Sequence, residues 1–111
     1  MEIREENSAG VTVLKPVGRL DSHASREFEA GVMRVVETGR GALVVDCGEL
    51  EYISSAGLRV LLLAAKNLKL ATRKIILCAL RENVQEVFDI SGFSSLFEIY
   101  DTREAALAAA S

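Results

Sequence analysis

The spacing of apolar residues changes several times along the chain, and each change predicts an element. Residues 3–7 suit a short edge strand, and Ser8-Ala9-Gly10 marks a turn. Residues 11–17 alternate, with Val11, Val13 and Val17 on one face of a second strand. Pro16 donates no backbone hydrogen bond, which puts it at a bulge or near that strand's end. Gly18-Arg19-Leu20-Asp21 then leads out of the strand into a helix with Ser22 as its expected N-cap. Ala24, Phe28, Val32, Val35 and Val36 follow at helical spacing, and Gly39 and Gly41 end that helix. Residues 42–45 are continuously apolar, as a strand buried on both faces requires.

The most apolar segment, 55–70, predicts a second helix. Leu58, Leu61, Leu62, Ala65 and Leu68 form its core stripe, and Val60, Leu63 and Ala64 widen it. A strand is expected over 74–80, then a helix that turns Leu80, Val84, Val87 and Phe88 inward and stops at Gly92. A last strand over 97–100 precedes an alanine-rich helix capped by Thr102. The order ββαβαβαβα predicts one α/β domain with about four helices on a mainly parallel, five-stranded sheet. Its antiparallel exception is the N-terminal strand. In such a sheet the strand-to-helix junctions meet at the carboxyl rim, where open α/β sheets place their sites. Asp21-Ser22 and Ser54-Ser55 should therefore share that rim.

Charge and cysteine usage narrow the function classes. The 111 residues carry a formal net charge of −3, and no run of lysines or arginines supplies a basic face for direct nucleic-acid contact. The acidic start, Met1-Glu2-Ile3-Arg4-Glu5-Glu6-Asn7, is unlike a signal peptide. The longest apolar run, 60–65, is too short for membrane insertion. Cys47 and Cys78 are far apart and form no CxxC motif, so reduced structural thiols in a cytoplasmic protein are expected.

The candidate catalytic groups do not assemble into an enzyme on paper. Asp21, His23 and Ser55 would have to form any triad, yet His23 falls in a first helical turn two residues from Asp21. A nucleophile elbow needs G-x-S-x-G, and Ile53 stands where its first glycine belongs. One histidine and two buried cysteines offer no metal-ligand spacing. Ala56-Gly57 is not a phosphate-cradling or dinucleotide motif, so no cofactor is expected. Glu49 and Glu51 read as solvated carboxylates. What remains is Ser54-Ser55 before an apolar helix: either a cap or a place for a phosphate. A phosphate there would meet free N–H groups and the positive end of the helix dipole.

Gly18-Arg19-Leu20-Asp21, Leu43-Val44-Val45-Asp46, Leu50-Glu51-Tyr52-Ile53-Ser54-Ser55-Ala56-Gly57-Leu58 and Val87-Phe88-Asp89-Ile90-Ser91-Gly92-Phe93 together carry a resemblance over nearly the whole chain. It resembles a STAS domain of the anti-sigma-factor antagonist kind used in bacterial partner switching. The resemblance implies a binding protein that engages an anti-sigma factor with GHKL-type serine kinase activity and frees the sigma factor. The kinase would phosphorylate a serine at the start of the second helix, and a metal-dependent serine phosphatase would reset it. Aligning the family's Asp-Ser-Ser-Gly pattern on Gly57 puts the acceptor at Ser55, with Ser54 in place of the aspartate and Ala56 in place of the second serine. Ser54 is thereby left as a competing acceptor. The implied docking surface is Asp21, Ser22, Ser54, Ser55, Ala56, Gly57 and Leu58. The alternative is an unswitched STAS interaction subunit, a signalling scaffold or an accessory subunit of a lipid-transport ATPase, using Val60, Leu63 and Ala64 as its contact surface.

Overall fold

The computed structural model describes residues 1–111. Strand β1 (Glu2–Ser8) turns at Ala9-Gly10 into β2 (Val11–Leu20). Both turn residues have positive φ, 50° and 83°, the two-residue hairpin geometry that follows the natural twist of the strands. Then come α1 (Ser25–Thr38), β3 (Leu43–Asp46), β4 (Leu50–Ile53), α2 (Ser55–Leu70), β5 (Ile75–Cys78) and α3 (Glu82–Ser91). A 3₁₀ turn (Phe93–Leu96), β6 (Glu98–Tyr100) and α4 (Arg103–Ala110) complete the chain. The sheet runs β1-β2-β3-β5-β6, with β4 joined to β2 alone. Only β1 is antiparallel to its neighbour.

The α/β class and four helices match expectation, but the sheet has six strands, not five, and the order is ββαββαβαβα. The additional strand, β4, has buried ends and two exposed central residues, a pattern too short to show a period. Its neighbour β2 is also longer than predicted. Residues 12–14 of β2 pair with β3, and residues 18–20 pair with β4. Pro16 falls between the two parallel ladders, so its missing N–H disturbs neither. The register irregularity comes two residues later, between Gly18 and Arg19, where Gly18 has φ 103°. The segment expected to lead out of the strand is thus the part of it that holds β4.

Both faces of the sheet are covered, which explains the unbroken apolar runs of β3 and β5. On one face Leu14, Leu43, Val45 and Leu77 pack with Phe28, Val32, Leu61 and Phe88 from α1, α2 and α3. On the other, Val13, Val44, Ile76 and Cys78 pack with Ala106 of α4. Arg103 tethers that last helix: its Nε donates to buried Asp46 at 2.9 Å and its guanidinium also reaches Glu6.

Cys47 and Cys78 are free, buried and in the clusters on opposite faces of the sheet. Burial pushes both thiols up, Cys78 to about 11, so neither is a thiolate at neutral pH. Alkylation of the native protein by iodoacetamide at neutral pH should therefore leave both unmodified, while denaturant exposes both. Mass spectrometry distinguishes the two, and rapid labelling of the native state would contradict this burial.

Candidate functional site

Strands β2 and β4 end side by side at the carboxyl rim. Leu20 lies opposite Ile53, and the Ser54 N–H donates to the Leu20 carbonyl at 2.9 Å. Asp21 and Ser54 are therefore the first residues to leave two adjacent strands, and the junctions predicted to share a rim do so.

The two junctions are capped differently. Ahead of α1, Asp21 accepts from the Ala24 N–H at 2.8 Å through Oδ1, while its carbonyl accepts from the Ser25 N–H and Oγ. The capping role expected of Ser22 is not met: the N-cap position of α1 is Ala24, without a side-chain hydrogen bond, and Asp21 closes the turn ahead of it. An extra turn over residues 22–24 separates strand from helix, and Ser22 stands exposed on it. Ahead of α2 the predicted boundary is met, with Ser55 as the first helical residue. Ser54 is the N-cap: its backbone is extended (φ −89°, ψ 169°), and its Oγ accepts from the Gly57 N–H at 3.2 Å. Its carbonyl takes the Leu58 N–H.

That division of labour decides what each serine can do. Ser54 is 9% exposed and its oxygen serves the helix. Ser55 is exposed and its hydroxyl makes no hydrogen bond within the protein. The N–H groups of Ser55 and Ala56 have no intrahelical partner, as at any helix start, and give the rim a positive edge. Replacing Ser54 by alanine removes the cap and should lower unfolding free energy by about 1 kcal/mol. Urea denaturation measures this, and an unchanged midpoint would show that the cap contributes nothing.

Of the other expected rim residues, Ala56 is half-buried and Gly57 and Leu58 are turned inward. Leu58 packs into the core beneath α2. A Cβ on Gly57 would lie 2.9 Å from Cγ and Cδ2 of Leu20 and 3.0 Å from Cγ1 of Ile53. Gly57 thus lets α2 start in contact with the ends of β2 and β4, and so sets the height of Ser55. His23 is exposed, and the Asp21 carboxylate faces the Ala24 N–H rather than an imidazole.

Two features were not visible in the sequence. The Arg19 guanidinium sits over the Tyr52 ring, 4.4 Å from its centroid, one register step before the rim and exposed. Only the β2–β4 register makes neighbours of residues 33 positions apart. At the opposite rim, Arg40, Lys69, Arg73 and Lys74 line one depression, although no basic run exists along the chain. Arg73 donates from Nε to the Gly41 carbonyl and from Nη1 to the Val36 carbonyl, tying down the end of α1. Lys74 pairs with Glu98. The contact surface that an unswitched subunit would use is mostly interior: Val60 and Ala64 are buried in the core, and Leu63 alone is exposed, at 38%.

The fold and rim define a small α/β domain with an exposed serine at the start of its second helix. The chain belongs to the STAS domain family, whose model matches residues 2–106. It is 41% identical over 98% of its length to BtrV of Bordetella bronchiseptica, described as a candidate anti-sigma factor antagonist, and covers 94% of that relative. An anti-sigma factor antagonist from Mycobacterium paratuberculosis superimposes with a TM-score of 0.90 at 25% identity, covering 98% of this chain and 92% of the other. The Bacillus cell-fate determinant SpoIIAA, solved in its phosphorylated form, shares the fold with a TM-score of 0.75 at 20% identity, over 96% and 97% of the two chains. No helix is long and apolar enough to cross a membrane.

Proposed function

We propose that this protein is an anti-sigma-factor antagonist that acts by binding, not by catalysis, and that phosphorylation of Ser55 switches it off. Its carboxyl rim (Asp21, Ser22, Ser54, Ser55 and Ala56, with Gly57 and Leu58 supporting them from beneath) docks on an anti-sigma factor with GHKL-type serine kinase activity. Docking displaces the sigma factor. The kinase transfers a phosphoryl group to Ser55 Oγ, the complex breaks, and a metal-dependent serine phosphatase hydrolyses the ester to reset the cycle. We place this exchange in the cytoplasm, where sigma factors meet RNA polymerase.

The observation that carries this reading is the capping arrangement. Ser54 satisfies the helix, so the hydroxyl of Ser55 is exposed and uncommitted. The same geometry supports Ser55 over Ser54 as acceptor, because phosphorylating Ser54 would destroy the cap. Ser55 has no base of its own, and a kinase active site supplies one. Antagonist names among the relatives support the role, and a phosphorylated structural neighbour supports the switch.

The test is phosphopeptide mass spectrometry on the protein from its native cells. Phosphate on Ser55, lost in Ser55→Ala, is the expected result. Phosphate on Ser54 instead would move the switch by one residue, and none under any growth condition would favour an unswitched binding module.

A further inference from the structure

We propose that Arg59 is the intramolecular partner of a phosphate on Ser55, so that phosphorylation both adds charge to the rim and withdraws a cation from it. The inference rests on the proposed phosphorylation of Ser55 and concerns what the phosphate meets on this chain.

Ser55 and Arg59 are one turn apart on α2, an i,i+4 pair on one face, with about 5–6 Å between such Cβ atoms. Side chains in an α-helix lean toward its N-terminus, so the long arm of Arg59 can reach back over the turn that Ser55 begins. Both residues are exposed, and the guanidinium of Arg59 enters no ion pair or hydrogen bond. Its planar fork matches two phosphate oxygens. Arg59 shares a shallow depression with Glu29 of α1, Val60 and Leu63, yet it forms no ion pair with Glu29. A phosphoserine carrying roughly −1.5 to −2 charges outcompetes that single carboxylate.

Without phosphate, Arg59 is a free cation next to the rim and open to an acidic group on the docking partner. With phosphate, it is drawn back over the first turn of α2. The helix start is then left intact, because Ser54 keeps its cap and the new charge is partly matched within the same helix. The partner meets a rim that is still net negative, because one guanidinium offsets only part of the phosphate charge, and also loses a cation it could have used.

The experiment uses the full chain with phosphoserine installed at position 55 during translation, so it needs no kinase. A ³¹P NMR titration reads the second ionisation of the phosphate, whose ordinary value is about 6. Arg59 stabilises the dianion and lowers that value; Glu29 and Asp21 raise it. The expected result is an upward shift of about 0.15–0.35 pH unit in Arg59→Gln, the equivalent of one exposed i,i+4 ion pair. Arg59→Lys should fall between the two. Equal titration of the native and Arg59→Gln proteins would overturn the pairing. Because the phosphate is installed, that outcome is separate from failure to find phosphoserine 55 in cells, which would overturn the switch itself.

Discussion

Ser55→Asp should weaken binding to the kinase anti-sigma factor by about 30-fold or more, while Ser55→Ala should bind as tightly as the native protein and remain bound in the presence of ATP. The asymmetry follows from the position of the residue. A carboxylate in the first turn of a helix is favoured by the dipole and the free N–H groups, so Ser55→Asp should fold at least as well as the native chain. Lost affinity then belongs to the interface. There, a charge that the partner leaves unmatched must be desolvated at the interface, a penalty of about 2 kcal/mol or more. Aspartate carries one charge where phosphoserine carries nearly two, so it understates the proposed switch. Calorimetric titration of both variants against the kinase domain measures the contrast, with thermal unfolding as the check on folding. Equal affinities would exclude position 55 as the switch.

How much of this was legible in the sequence depends on whether each feature is local. The start of α2 at Ser55, the Thr102 cap of α4 and the Gly92 stop of α3 were all readable, because each rests on residues within one turn. The Thr102 side chain accepts from the Ala105 N–H, and Gly92 has the left-handed φ of 79° expected of a helix stop. Features that depend on chain path were not readable. Ser22 suits an N-cap by residue type, but the turn over residues 22–24 moves the helix start to Ser25 and leaves Asp21 to close that turn. Gly18-Arg19 looks like a strand exit, but β4 lies alongside it and extends the strand to Leu20. The serine pair was ambiguous for the same reason. Residue type permits a cap at 54 or 55, and the hydrogen bond from Gly57 N–H to Ser54 Oγ resolves it. The candidate site is therefore legible as a local pattern, while the hydrogen-bonding roles within it are set by neighbours brought in through parallel register.

Gly57 connects the site to the fold, and substituting it should change both. Leu20 is fully buried and Ile53 is 2% exposed, so neither has open space into which to swing. In Gly57→Ala two effects oppose each other. Alanine is the better helix former by about 1 kcal/mol, whereas a methyl forced to 2.9 Å from Leu20 incurs an overpacking penalty of about 1–3 kcal/mol. The net expectation is a loss of about 1 kcal/mol. Gly57→Val adds two further carbons and a branched Cβ in the same gap, and loses the helix-propensity offset. Its expected loss is about 3 kcal/mol, a large part of the stability of a domain this size. The strain is relieved by lifting the first turn of α2 away from the ends of β2 and β4, which displaces Ser55 at the rim. Gly57→Val should therefore lose partner affinity even at temperatures where it remains folded, unlike a core truncation such as Leu68→Ala at the far end of the same helix. Urea unfolding read together with partner titration separates the two effects. A Gly57→Ala protein more stable than the native one would show that helix propensity outweighs the close approach, and that the start of α2 has room to spare.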